Sequence, residues 1–232
     1  MNRLLIALKW DFIRQQRYQI VTAAVLVTVL YILLFLGLQW EYEDKLLIFL
    51  IFNDPVGLGM LFIGSLILFE KSDRTLQALV VTPIRPWQYL WSKGLSLTLI
   101  TTLCSYAMAF VGHGWAFHYW YFGIAIAFTS LFFTFLGVII VSGCRSFNEY
   151  VMKMGISLIP IVLPFLNFLG ITDTYWWYIV PSQPGLLLME AAFGKTFALW
   201  QIMYAIGYLV LATAVSYYFA ERAFIKKLQN QL

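Results

Sequence analysis

Charge is scarce in this sequence: of 232 residues, 15 are Lys or Arg and 11 are Asp or Glu. A soluble domain that is 62% hydrophobic and only 11% charged has too few polar groups to cover its surface. A bilayer removes that requirement and demands only that backbone polar groups pair internally, which helices achieve. Cysteine is nearly absent too. Cys104 and Cys144 show neither the paired density of a secreted disulfide scaffold nor metal-ligand spacing, so both are expected as core residues. The two histidines, His113 and His118, stand at i and i+5, off one helical face and with no acidic or thiol neighbour in sequence; an interfacial role is expected rather than a metal pair. There is no Ser/His/Asp or Cys/His arrangement and no close carboxylate pair within an apolar run, so the chain reads as lacking a catalytic site. Gly194-Lys195-Thr196 imitates the end of a phosphate-binding loop, but that loop needs a glycine where Met189 stands.

What remains is a series of long apolar runs. Crossing the hydrocarbon layer takes about 20 apolar residues. Residues 20–38, 95–112, 121–143, 151–171 and 197–220 meet that length. The run 46–69 is interrupted by Asn53-Asp54-Pro55-Val56-Gly57, and its chemistry suggests a helix start, with Asp54 as cap and Pro55 at the first helical position. On this reading 46–53 is a surface lead-in and the second span covers 55–71. The expected fold is therefore an all-α membrane protein of six transmembrane helices forming a single transmembrane domain over 1–232. The first 18 residues read as an interfacial helix, with Leu4, Leu5, Leu8 and Phe12 on one face and Gln15 intruding. The first apolar run is of span length and lacks a small-x-small exit, so it reads as a retained span rather than a signal peptide.

The net charge of +4 matters less for its size than for its placement. Thirteen of the 15 basic residues fall on one side of the expected spans, leaving Lys45 and Lys195 on the other, which places both termini in the cytoplasm. Charges that flank apolar runs in this way point to membrane lipid as neighbour and not to nucleic acid.

The segment 72–93 is the longest polar break. Ser72 is expected to cap a short helix, with Asp73 in its first turn, where the helix dipole favours negative charge. Leu76, Leu79 and Val80 form an apolar stripe, Arg74 and Gln77 take other faces, and Pro83 ends the helix. Pro86 then opens the next helix, with Trp87, Tyr89, Trp91 and Lys93 at the membrane boundary. This is more rigid structure than a connection requires, so a docking surface for a cytoplasmic partner is expected. Glu70 marks the inner end of span two. Span five carries Pro160 and Pro164, with Asn167 at the same end, which predicts a kinked or broken helix able to line a translocation path. Residues 181–193, led by Pro181, Pro184 and Gly185, are too short to span and read as a re-entrant or surface helix before span six.

Glu70, Arg74-Thr75-Leu76, Leu79, Thr82-Pro83 and Lys93 together resemble the pattern found in membrane subunits of type-2 ATP-binding-cassette exporters, and 181–193 resembles the outer proline-led segment of that family. Those two stretches carry the residue-level likeness, while span count and loop order extend it over most of the chain. Arg74 stands where relatives often have glycine. The resemblance implies a coupling helix over 72–82 received by a separate cytoplasmic ATPase that binds ATP and Mg, this chain itself holding no cofactor. It also implies a second permease copy or related permease as partner, a secondary contact through Arg145 and Glu149 in the loop 144–153, and a bacterial inner-membrane location. A drug, lipid or lipid-linked molecule would suit the apolar spans. The competing expectation is a membrane scaffold whose polar break docks a soluble partner that is not an ATPase.

Overall fold

The structure, a computed structural model, describes residues 3–37, 43–73, 85–171 and 175–229. Every regular element among them is helical: α1 (Arg3–Arg17), α2 (Ile20–Gly37), α3 (Glu43–Asp54), a π-helical turn (Pro55–Leu61), α4 (Phe62–Ser72), α5 (Pro86–His113), α6 (Tyr119–Ser142), α7 (Phe147–Val162), α8 (Phe165–Phe168), a 3-10 turn (Tyr175–Ile179), α9 (Ser182–Ala192) and α10 (Leu199–Gln229). Among the described residues five stretches are long and apolar enough to cross a membrane: Ile20–Gly37, Asp44–Ser72, Pro86–His113, Tyr119–Ser142 and Leu199–Lys226. The central helix is α6, which packs against α10, the π turn, α5 and α9.

The second span differs from the sequence expectation. Asp54 has helical backbone angles, φ −61° and ψ −54°, and makes no capping hydrogen bond, so α3, the π turn and α4 run on as one stretch. A capping residue needs extended backbone, which Asp54 lacks. Proline inside a helix removes one backbone bond and crowds the preceding turn, and the wider π turn that begins at Pro55 relieves that crowding. Residues 46–53 are accordingly no surface lead-in: Leu47, Ile48, Ile51 and Phe52 are buried in the main core.

Tyr150 of α7 locks the turn in place. Its phenol donates to the carbonyl of Met60, and its ring occupies the space that a Cβ on Gly64 would need. Gly137 of α6 clears the other side, where a Cβ would lie 2.9 Å from the same Met60 carbonyl oxygen.

The expected fifth span, 151–171, is not one continuous helix. α7 ends at Val162, and the chain turns through Leu163 and Pro164 with three-residue bonds from Leu166 N to Leu163 O (3.0 Å) and from Asn167 N to Pro164 O (3.1 Å). Pro164 supplies no donor, so a regular four-residue ladder is broken there. The short α8 then ends at Gly170, whose φ of +79° suits the left-handed stop that glycine tolerates best.

α9 is embedded rather than superficial. Every residue from Ser182 to Ala192 except Glu190 is buried, and Ser182 Oγ donates to the Ile161 carbonyl at 2.5 Å. Glu190 pairs with Lys195 Nζ at 2.6 Å. His113 Nδ1 meets Asp44 Oδ1 at 3.0 Å, joining the end of α5 to the start of α3. Both cysteines are buried, and Cys144 Sγ donates to the Ile140 carbonyl.

Candidate functional site

Three helices meet where the chain leaves α4 and re-enters as α5. α5 begins at Pro86, and Gln88 Oε1 accepts from the Arg85 N–H at 3.1 Å, which closes the first turn. From that start Tyr89, Ser92, Lys93 and Ser96 recur at i, i+3, i+4 and i+7 and so share one face. α1 lies against this face.

The packed face of α1 is one that the apolar stripe Leu4, Leu5, Leu8 and Phe12 does not mark. The residues turned inward are Ala7, Asp11 and Gln15, whereas Leu5, Trp10 and Ile13 are exposed. A helix on a membrane protein can send its apolar residues out to lipid and its polar ones into the protein, so the leucine stripe does not identify the packed face.

Asp11 and Glu70 are each buried to within 2% of full exclusion, as is Lys93 of α5. Lys93 Nζ lies 2.6 Å from Glu70 Oε1 and 3.1 Å from Asp11 Oδ1. Arg14 spans the same two acids, at 2.8 Å to Glu70 Oε1 and 2.9 Å to Asp11 Oδ1. Tyr89 donates to Glu70 Oε2 at 2.5 Å and Ser92 to Asp11 Oδ2 at 2.5 Å, while Gln15 Nε2 reaches Ser96 Oγ at 2.7 Å. Two carboxylates are thus neutralised by two cations, and both are also hydrogen-bonded by hydroxyls. Burying the charges of Asp11, Glu70 and Lys93 carries a large desolvation cost, which their attraction to each other and to the partly exposed Arg14 offsets. Removing one member leaves an uncompensated charge, so the cluster acts as a single mechanical joint between α1, α4 and α5.

A second link stands beside it. Tyr18, between α1 and α2, donates to Asp73 Oδ2 at 2.6 Å, and that bond to the Asp73 carboxylate pushes the phenol up to about 12. Tyr89 is not a boundary anchor. It is buried and stacks on Phe224 of α10 at 4.7 Å, with rings 11° from parallel, which extends the joint to the last span. Trp91 is half-buried against Phe135 and Tyr217, while Trp87 is exposed.

The polar break is gripped at both its ends. Ser72 is the final residue of α4, and Asp73 follows, with its N–H returned to the Phe69 carbonyl at 2.9 Å. The expected docking residues Arg74, Leu76, Gln77, Leu79 and Val80 lie outside the described residues.

The loop 144–153 forms a separate local cap. Ser146 Oγ accepts from Glu149 N–H at 3.3 Å, and Glu149 Oε2 accepts from the Arg145 N–H at 2.8 Å. The Lys153 ammonium, 2.8 Å from Glu149 Oε1, and the Arg145 N–H together hold the Glu149 carboxyl below its ordinary range. Of the expected path residues, Pro160 is exposed, Pro164 buried and Asn167 half-buried, so the three do not share one environment.

Sequence reasoning missed Asp11 and placed Tyr89 and Lys93 at the membrane boundary. The one available signal was Asp11 and Gln15 at i and i+4 on a helix that is otherwise rich in apolar residues.

Membrane-length apolar helices around a central helix make this a multi-spanning membrane protein. More particularly, the chain belongs to the fluoroquinolones export permease protein family, whose sequence profile matches residues 2–231. Over 216 residues, covering 92% of this chain and 91% of the relative, it is 28% identical to the fluoroquinolones export permease protein of Mycobacterium tuberculosis strain CDC 1551 / Oshkosh. The same identity and coverage hold for the protein of that name from strain ATCC 25618 / H37Rv.

Proposed function

We propose that this chain is the membrane subunit of an ATP-binding-cassette exporter that moves a drug-like amphiphile, with fluoroquinolones as the first class to test. The ATPase is a separate cytoplasmic subunit carrying ATP and Mg, and it docks on the segment 72–82. Two permeases, either two copies or this chain and a related one, face each other in a bacterial inner membrane with their termini in the cytoplasm.

The observation that carries this reading is the joint of Asp11, Arg14, Glu70 and Lys93 at the two ends of the polar break. A force applied to 74–84 has to pass through that joint into α1, α4 and α5, because the charges cannot separate without leaving one unpaired and buried. Through Tyr89 and Phe224 the same displacement reaches α10. Arg145 and Glu149 offer a smaller second contact for the ATPase. Pro160, Pro164 and Asn167 mark the interrupted helix, where a path between subunits could open.

The test is co-purification followed by ATP hydrolysis. Wild-type permease is expected to bring down a subunit with nucleotide-binding motifs, and changing Leu76 and Leu79 together to Asp is expected to abolish the association. Intact, drug-stimulated hydrolysis after that double change would overturn the docking assignment. A soluble partner without nucleotide-binding motifs would favour a scaffold.

A further inference from the structure

The elbow between α1 and α2 carries a surface that the ionic joint does not use. Gln19 has left-handed backbone, φ 62°, so the chain turns sharply where α1 ends and α2 begins. The angle between the two helices holds an open-sided groove of about 470 Å³, lined by Gln16 of α1 and by Val21, Thr22, Val25, Leu26 and Val29 of α2. That volume lies within the roughly 300–1,000 Å³ of small-molecule sites. Val21, Val25 and Val29 recur at i, i+4 and i+8, with Thr22 and Leu26 as the row beside them. The floor is therefore an apolar face of α2 that runs for about 12 Å, at 1.5 Å per residue, away from a polar end at Gln16 and Thr22.

The charge at the polar end has one sign. α1 turns Ala7, Asp11 and Gln15 inward. Its outward face carries Leu5, Lys9, Ile13 and Gln16 at i, i+4, i+8 and i+11, with Trp10 and Arg17 beside them, and all six are exposed. Asp11, the one acid of α1, is buried and already holds Lys93 and Arg14. The ion pairs among the described residues include neither Lys9 nor Arg17. Cations beside exposed tryptophan and aliphatic side chains seat a helix on a membrane surface that bears negative charge.

Groove and cations together select the ligand. An apolar trough alone takes any acyl chain, and exposed cations alone attract any anion. Here Arg17 directly follows Gln16, which lines the groove, so the anion-binding and apolar parts adjoin at one end. A molecule with a phosphate at one end and an acyl chain at the other satisfies both. A second copy of the chain docked through its own elbow would instead set cations against cations, which disfavours it.

We propose that the α1–α2 elbow binds an anionic phospholipid. Arg17 pairs with the phosphate, Gln16 and Thr22 donate hydrogen bonds to the headgroup, Lys9 adds to the attraction, and one acyl chain lies along Val21, Val25 and Val29. Because the inward side of the same helix carries Asp11, the bound lipid holds α1 from outside against the ionic joint. This goes beyond the export reading and requires neither the ATPase nor the exported compound.

The experiment uses the full chain in dioleoylphosphatidylcholine nanodiscs, with spin-labelled phosphatidylglycerol and spin-labelled phosphatidylcholine as probes, and reads the fraction of each whose motion the protein restricts. The wild type is expected to hold phosphatidylglycerol about 5- to 30-fold more tightly than phosphatidylcholine, the gain from one or two cations at the headgroup. Lys9→Gln with Arg17→Gln is expected to remove most of that preference and leave phosphatidylcholine unchanged. Arg222→Gln with Lys226→Gln, which removes two exposed cations of α10, should leave the preference in place. Val25→Trp fills the groove but keeps both cations, and it should weaken phosphatidylglycerol as well. Equal retention of the two lipids by the wild type overturns the proposal, and this comparison decides even if a variant fails to fold. An equal loss of preference in the α10 pair would mean surface charge without a site and overturns it, as does undiminished phosphatidylglycerol binding by Val25→Trp. Displacement of the label by glycerol 3-phosphate as effectively as by unlabelled phosphatidylglycerol would assign the site to a soluble phosphate and overturn the lipid. Absence of drug-stimulated ATP hydrolysis would count against the exporter reading alone and leave each of these outcomes as it stands.

Discussion

Lys93 Nζ is 2.6 Å from Glu70 Oε1, so the eighth residue of α5 is ion-paired to the third-last residue of α4 across the polar break between them. With Asp11 and Arg14 completing the group, the N-terminal helix is tied into the same joint. Lys93→Met is therefore expected to destabilise the protein by about 3–5 kcal/mol, because it strands buried carboxylates. Glu70→Gln with Lys93→Met should cost less than the sum of the single changes, since neither charge is then left without its partner. Detergent-resistant unfolding of the four proteins in this cycle measures the coupling, and strict additivity would mean that the pair does not act as a unit.

Asp11→Ala is expected to release α1 from α5. The helix keeps the Gln15–Ser96 bond and the Arg14–Glu70 pair but loses its contacts to Lys93 and Ser92. Hydrogen exchange over residues 3–17 should rise while exchange in α6 stays unchanged, a local opening rather than global unfolding.

Gly64→Ala is expected to cost about 1–3 kcal/mol, the usual penalty for overpacking a filled core. Its Cβ would overlap the Tyr150 ring, so adding Tyr150→Leu should recover part of that loss although Tyr150→Leu alone is destabilising. Thermal midpoints of the three variants check this, and a Gly64→Ala protein as stable as wild type would show that the Tyr150 notch is not filled.

Tyr18 gives a pH test with a defined sign. Its phenol is pushed up from 10.0 to about 12 by donating to Asp73, so the stability from this bond is fully present below pH 10 and lost as pH rises through about 12. Tyr18→Phe should therefore narrow its stability difference from wild type across that window. A difference that stays constant to pH 12 would contradict the bond. The group is largely solvated, which keeps the effect small.

Much of the membrane architecture was legible because it rests on local quantities. Run length and the bias of Lys and Arg require no knowledge of neighbours, and they identified the stretches around α2, α5, α6 and α10. Asp54 was misread because Asn-Asp-Pro has the composition of a helix start; whether the chain actually starts or widens into a π turn depends on Tyr150 reaching the Met60 carbonyl from 90 residues away. In 151–171 the two prolines signalled the break, but its position at Leu163 and Pro164 goes with packing that the sequence does not display, including the Ser182 bond to the Ile161 carbonyl. Asp11 was hidden because reading α1 as an interfacial helix drew attention to its apolar stripe, whereas its partners Lys93 and Ser92 stand more than 80 residues away in the chain. The coupling pattern in the sequence included Glu70 and Lys93, but their direct contact emerges only when α4 and α5 are set side by side.

The central claim is that motion at the polar break reaches the spans through the ionic joint. Drug-stimulated ATP hydrolysis by the purified permease–ATPase complex tests it most directly, comparing wild type with the double variant Glu70→Gln, Lys93→Met. The account predicts that the variant complex still assembles and hydrolyses ATP at its basal rate but loses stimulation by a fluoroquinolone. Full stimulation in an assembled variant complex would contradict it.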